Sequence, residues 1–184
     1  MTTDRQLANP LVVLGMHRSG TSALSGILHL LGVNLGRQLM PATSANEKGY
    51  WEHQGLVDQN NRVLRDIGSH WSDVRPHADA VWQKPELGML ETQIVDILES
   101  EFGDGVLWGL KDPRLCRLLP LWRDVFARMN VTPGYLLIAR HPAEVVASLR
   151  ARDGMDEDRA LVLWLLHVLE SVTGTAPAIT GARR

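Results

Sequence analysis

Residues 11–22 read LVVLGMHRSGTS, and this stretch decides the fold. Its first part, residues 11–15, is an apolar run that predicts a strand buried on both faces, as the strands of parallel sheets are. Beyond the glycine turn, apolar residues recur at helical spacing over residues 21–31, and Gly32 follows as a C-terminal glycine. The order of strand, tight turn and helix predicts the first unit of an α/β fold.

The rest of the chain repeats this alternation of strands and helices. Because strands alternate with helices, we expect an α/β fold of three layers, with a mainly parallel sheet and helices on both faces. We expect one domain over residues 1–172, followed by an unstructured tail over residues 173–184, which read TGTAPAITGARR. Strands are predicted at residues 106–110 and 135–139, and helices at 54–67, 85–102, 118–129, 142–152 and 158–172.

Composition restricts the class of partner. The chain has 184 residues and a net charge of −2, so no overall positive field attracts nucleic acid, and any anion site must be built locally. No apolar stretch is long enough to span a membrane, and the N-terminus lacks the apolar core of a signal peptide. The single cysteine, Cys116, permits no internal disulfide, which fits a reducing compartment. We therefore expect a cytoplasmic protein.

The turn between the first strand and helix favours phosphate binding. Residues 15–22 nearly fit the phosphate-loop pattern G-x-x-x-x-G-K-[ST], but Thr21 occupies the lysine position and the cation is Arg18, inside the loop. Backbone N–H groups of such a turn, together with a helix N-terminus, form an anion-binding nest. A glycine turn that only joins strand to helix is the competing interpretation. The Arg, Ser and Thr side chains around the glycines favour the phosphate site.

Basic residues follow all three predicted strands. Arg18 follows the first strand, Lys111 the second and Arg140 the third. In open α/β sheets, ligands bind outside the carboxyl ends of the strands. We therefore expect these three cations to converge on one crevice that holds an anionic ligand.

Three segments together resemble sulfotransferases that use 3′-phosphoadenosine 5′-phosphosulfate (PAPS), of the bacterial type. The loop 15–22 is similar to their 5′-phosphosulfate loop, and residues 140–148 resemble their 3′-phosphate site. The segment Gly-Leu-Lys-Asp-Pro-Arg over residues 109–114 resembles a third motif of protein-tyrosine, related Golgi-type and bacterial members. The resemblance implies a phosphate-loop NTPase-like fold and PAPS as co-substrate, bound by His17, Arg18, Ser19, Gly20, Thr21, Ser22, Arg140 and Ser148. His17 has two interpretations, a hydrogen bond to phosphate or a role in shaping the turn.

The resemblance also implies catalytic roles. Lys111 would approach the bridging oxygen between sulfate and nucleotide, and Arg18 would meet the leaving charge. A carboxylate or histidine following the loop would be the base. Glu52 is the first candidate, because Tyr50 and Trp51 beside it could exclude water and raise its pKa. Glu47 is second and His53 third.

Sulfuryl transfer of this kind needs no bridging metal, and the histidines show no metal-ligand spacing, so we expect no metal site. The acceptor would be a hydroxyl of a small molecule or glycan. Family members normally continue with another strand and more helices, so the resemblance leaves three interpretations: a C-terminally truncated, a frame-shifted or a compact member. The alternatives are a phosphate-loop small-molecule kinase or NTPase, in which Asp112 would hold Mg²⁺, and an inactive truncated sulfotransferase-like protein.

Overall fold

The computed structural model describes residues 7–43, 46–103 and 105–181, with side chains through Ala176. These residues form three strands and six α-helices, so the predicted α/β class is confirmed. A short 3₁₀ helix lies at Asp79–Gln83. The strands and helices, in chain order, are β1 (Leu11–Leu14), α1 (Thr21–Leu30), α2 (Gln54–Asp66), α3 (Pro85–Phe102), β2 (Gly109–Lys111), α4 (Leu115–Arg128), β3 (Gly134–Leu137), α5 (Pro142–Asp153) and α6 (Glu157–Gly181).

The sheet is parallel, as predicted, with the strand order β2-β1-β3. Leu11 of β1 pairs with Gly109 on one side and with Gly134 on the other. The chain therefore leaves β1 toward β2 and later crosses to the opposite edge. In open α/β sheets, such a reversal opens a crevice beyond the carboxyl ends of the strands. The loop after β1 and the loop after β3 flank this crevice.

Alternate residues of β1 enter different clusters of the core. Val12 and Leu14 pack in the largest cluster, which includes residues of α2, α3 and α4. Val13 packs instead with Leu28 of α1. Because successive side chains of a strand point to opposite faces, helices cover both faces of β1. This arrangement is compatible with the expected three-layer fold.

The starts of β2 and α4 differ from the prediction by three residues each. β2 begins at Gly109 rather than residue 106, because the chain just before it pairs with Asn34 instead. The Asn34 N–H donates to the Leu107 carbonyl, and the Gly109 N–H donates to the Asn34 carbonyl. Helix α4 begins at Leu115 rather than residue 118, where the Leu115 N–H donates to the Asp112 carbonyl. The earlier start of α4 places the helix directly after residues 111–114.

The last helix continues where the sequence indicated a tail. Helix α6 runs to Gly181, beyond the expected boundary at residue 172. The buried Thr175 donates its hydroxyl to the Ser171 carbonyl, and Gly174 lies so close to α4 that an added Cβ would be 2.7 Å from Leu119 Cδ1. Packing against α4 overrides the weak helix propensity of this segment. Residues 182–184 of the expected tail lie outside the described residues.

Candidate anion-binding and acid–base site

A tight loop joins β1 to α1 and points the N-terminus of α1 toward the crevice. Arg18 and Gly20 adopt left-handed backbone conformations, with φ of 68° and 91°. Gly15 has no space for a side chain, since an added Cβ would be 2.6 Å from the Ile138 carbonyl oxygen at the end of β3. The glycine therefore lets the loop lie directly against the end of β3.

The start of α1 offers unused hydrogen-bond donors. Gly20 is its N-cap and provides no side-chain cap, so the first-turn N–H groups face outward without that partner. The Ser19 hydroxyl is buried and has no hydrogen-bond partner within the described part of the chain. An open cavity of about 210 Å³ lies here. Its lining residues are Arg18, Gly20, Thr21, Ser22, Asn46 and Arg140. Donors and cations around one cavity are suited to an oxyanion.

The structure brings Arg18, Arg140 and Ser148 together. Arg140 and Ser148 were expected to share a phosphate, but the arginine that contacts Ser148 is Arg18. Arg18 Nε donates to Ser148 Oγ at 2.8 Å, and Arg140 Nη1 donates to the Arg18 carbonyl at 3.3 Å. Arg140 Nε also donates to Glu144 at 2.5 Å. Arg18 thus lies between the two residues expected to share a phosphate.

Lys111 and Glu52 form a buried ion pair at the end of β2. Lys111 Nζ lies 2.5 Å from Glu52 Oε1, and the two side chains are 2% and 6% exposed. Lys111 Nζ also donates to Ser22 Oγ at 3.2 Å and to the Tyr50 carbonyl at 3.0 Å. Since Ser22 lines the cavity, the ion pair is connected directly to the loop between β1 and α1.

Opposing influences act on the pKa of Glu52. Burial raises the pKa of the Glu52 carboxyl, and the nearby Asp112 raises it further. Lys111 and Arg114 oppose that shift. Arg114 Nη1 lies 3.5 Å from Glu52 Oε2 and 2.8 Å from Asp112 Oδ1, so Arg114 pairs with both carboxylates. A buried carboxyl with a raised pKa is suited to accepting a proton.

Two asparagines of α2 hold this cluster in place, and sequence reasoning missed both. Asn60 Nδ2 donates to Asp112 Oδ2 at 2.9 Å, while its Oδ1 accepts from Trp122 Nε1 at 2.9 Å. Asn61 Oδ1 accepts from Arg114 Nε at 2.8 Å. The available signal was the helical period, because Asn60 is a polar residue on the otherwise apolar buried face of α2.

The other candidate bases lie elsewhere. Glu47 is exposed. His53 is the N-cap of α2, where its Nδ1 accepts from the Leu56 N–H at 3.4 Å, and burial lowers its pKa. Of the three candidates, Glu52 is the one that contacts Lys111.

His17 is not among the residues that line the cavity. Its ring meets the Trp71 ring edge-on, with centroids 4.9 Å apart. Burial lowers the pKa of His17 well below the usual value, and Arg114 adds to that effect. Beneath the same loop, the Gly15 N–H donates to Cys116 Sγ at 3.2 Å, and burial raises the pKa of this thiol to about 11. Neither His17 nor Cys116 lines the cavity.

Within residues 7–43, 46–103 and 105–181, no group of three or more His, Cys, Asp or Glu side chains is placed to hold a metal ion. No helix in the same part of the chain has the length and apolar character to cross a membrane. Comparison of the chain with known protein families, curated proteins and solved structures finds no match.

Acid is expected to destabilise the protein through buried histidines. Burial lowers the pKa of His167 to about 4, so the folded state disfavours its protonation. Stability is full above the unfolded pKa of about 6.5 and falls as the pH drops toward 4. His167 should contribute a loss of about 3 kcal/mol over that range. Urea titrations of His167→Gln should show a smaller decrease in unfolding free energy between pH 7 and pH 4 than the wild type, and equal decreases would contradict the assignment.

Proposed function

We propose that this protein is a sulfotransferase that moves a sulfuryl group from PAPS to an acceptor hydroxyl. The observation that carries the proposal is the contact between the buried Glu52–Lys111 pair and Ser22 of the anion-binding loop. It supports the proposal because a buried carboxylate, an ammonium group and the hydroxyl of the loop after β1 lie side by side. These are the groups that sulfuryl transfer requires.

The donor's charged groups fit the cavity beside α1. Its volume of about 210 Å³ is below the 300–1,000 Å³ of sites that enclose a drug-sized ligand, and it suits the phosphosulfate end of the nucleotide. The first turn of α1, Ser19, Thr21 and Ser22 would donate hydrogen bonds to that end. Arg140 and Ser148 would meet the 3′-phosphate, and for this the Arg18–Ser148 bond must open.

The chain's side chains supply the proton transfer and the charge stabilisation. Glu52 takes the proton of the acceptor hydroxyl while the acceptor oxygen forms a bond to sulfur. The bond between sulfur and the bridging oxygen breaks, and its electron pair stays with the departing 5′-phosphate. Lys111 and Arg18 stabilise the negative charge that develops on that oxygen. Because cations of the chain meet this charge, the proposed reaction uses no metal.

The proposal also covers the fold family, the cellular location and the acceptor. The sheet and loop would belong to a phosphate-loop NTPase-like fold, and the protein would act in the cytoplasm on a small-molecule or glycan hydroxyl. A kinase or NTPase is the alternative that must be separated by experiment. Thermal shifts should be larger with PAPS or 3′-phosphoadenosine 5′-phosphate than with ATP, and independent of Mg²⁺. A preference for ATP with Mg²⁺ would overturn the proposal in favour of phosphoryl transfer, and no shift with any nucleotide would indicate an inactive protein.

The two arginines should control nucleotide affinity. Hydrogen bonds to charged groups contribute about 1.5–3 kcal/mol each, so Arg18→Ala and Arg140→Ala should each weaken binding of 3′-phosphoadenosine 5′-phosphate by about tenfold to a hundredfold in calorimetry. Arg123→Ala is the matched control, because Arg123 is exposed on α4 and does not line the cavity. Undiminished binding in either loop variant would refute the assignment of that arginine.

A further inference from the structure

The residue before Glu52 has an unfavourable backbone conformation. Trp51 adopts a left-handed conformation with φ of 58°. A bulky side chain makes this region costly, and such residues persist where the surroundings fix them. Strain of this kind is concentrated at functional sites.

The turn directs both neighbours of Trp51 to one atom. The Tyr50 carbonyl accepts from Lys111 Nζ at 3.0 Å, and Glu52 Oε1 lies 2.5 Å from the same nitrogen. In an extended strand, a backbone carbonyl and the side chain two residues later would not converge in this way. The left-handed residue between them bends the chain around the ammonium group.

The indole of Trp51 rests on α1 at a position without a side chain. A Cβ added at Gly26 would be 3.3 Å from Trp51 Nε1, closer than ordinary van der Waals contact. The indole also lies beside His29, with ring centroids 4.9 Å apart. Trp51 therefore sits against the helix backbone of α1, on the same helix whose first turn forms the anion site.

Trp51 could instead be an ordinary core aromatic, since it packs against the cluster around Val13 and Leu28. Hydrophobic burial alone explains neither the left-handed backbone nor the bare position at Gly26. We propose that Trp51 is a positioning residue: its indole, seated on Gly26, holds the turn that aims Glu52 and the Tyr50 carbonyl at Lys111. The inference rests on the proposed function for its kinetic consequence and on geometry alone for its structural one.

The test displaces the indole without touching Glu52 or Lys111. Gly26→Ala pushes the indole by a few tenths of an ångström and should lower kcat for sulfuryl transfer by about tenfold, because small misplacements of reacting groups reduce rates steeply. Affinity for 3′-phosphoadenosine 5′-phosphate should stay within about twofold. Gly88→Ala is the matched control, because Gly88 is an exposed helical glycine whose added Cβ would meet nothing within 4 Å. It should keep the wild-type kcat.

A second variant separates positioning from general damage. Trp51→Phe replaces the indole with a smaller ring, which leaves room for the methyl group that Gly26→Ala adds. The double variant Gly26→Ala/Trp51→Phe should therefore recover at least about half of the kcat lost in Gly26→Ala. Such non-additivity is expected of residues in contact. The proposal would be overturned if Gly26→Ala kept the wild-type kcat. It would also be overturned if the loss of kcat in the double variant equalled the product of the losses in the two single variants.

A further readout does not depend on the reaction. In protein labelled with ¹³C at glutamate side-chain carboxyls, the Glu52 resonance, assigned by its loss in Glu52→Gln, should titrate at a higher pH in Gly26→Ala than in Gly88→Ala. Loosening the Lys111 contact removes an interaction that lowers the pKa of Glu52. Equal titration midpoints would overturn the positioning role. If the wild type transfers no sulfuryl group but the Glu52 midpoint is still shifted in Gly26→Ala, only the proposed function is refuted.

Discussion

Glu52→Gln is expected to lower kcat for sulfuryl transfer by about 10²–10⁴-fold, the usual contribution of a positioned general base. The amide cannot take the acceptor proton, yet its oxygen can still accept the hydrogen bond from Lys111 Nζ. Affinity for 3′-phosphoadenosine 5′-phosphate should therefore change by less than about threefold. Steady-state kinetics and calorimetry on the same preparations would measure both quantities.

The pH dependence provides a second measurement of the same role. The base must be deprotonated, so kcat should fall as the pH falls through the pKa of Glu52. Because burial and Asp112 raise that pKa, the fall should be centred above the value of about 4.3 for an ordinary glutamate. Glu47→Gln is the matched control, since Glu47 is exposed in the preceding loop. A large loss of kcat in Glu47→Gln, with little in Glu52→Gln, would reverse the assignment.

Lys111→Met is expected to reduce both stability and activity. The substitution leaves Glu52 buried without its nearest cation, and removing one partner of a buried ion pair costs about 3–5 kcal/mol. Activity should fall as well, because Lys111 also fixes Ser22 and is the proposed partner of the leaving oxygen. Urea unfolding gives the stability, and turnover at saturating PAPS gives the activity.

The double variant Lys111→Met/Glu52→Gln separates the two losses. With no carboxylate left unpaired, it should regain at least about half of the lost unfolding free energy, since buried ion pairs are often replaceable by neutral groups. Its kcat should remain as low as that of the worse single variant. A double variant as unstable as Lys111→Met alone would show that the cost lies in lost packing of the lysine stem.

Sequence reasoning was effective where one local pattern determines the outcome. The strand, glycine turn and helix predicted at residues 11–31 follow from the apolar spacing and from the glycines that permit a tight turn. The parallel sheet follows from alternation of strands and helices, and the strand ends then bring Arg18 and Arg140 together. Lys111 was predicted for the same crevice, and its bond to Ser22 joins it to the loop.

The remaining contacts depend on tertiary structure that no local pattern encodes. The left-handed turn at Trp51 and the contact of its indole with Gly26 of α1 are both of this kind. Arg18, rather than Arg140, contacts Ser148, because side-chain pairing across a crevice is decided by reach and competing partners such as Glu144. Residues 173–181 read as a tail since Thr and Gly are weak helix formers, and packing of Gly174 against Leu119 overrides that preference.

The parallel sheet has a consequence for how the protein folds. Parallel neighbours cannot be joined by a hairpin, and β1 must find β2 and β3 across long intervening segments. Such non-local pairing is slow to form. The site is complete only when the three strands have paired. Pairing brings together the loop after β1, the segment ending at Glu52 and the end of β2. Recovery of nucleotide binding in a refolding experiment should therefore lag behind recovery of helical circular dichroism, making the ligand a reporter of the last folding step.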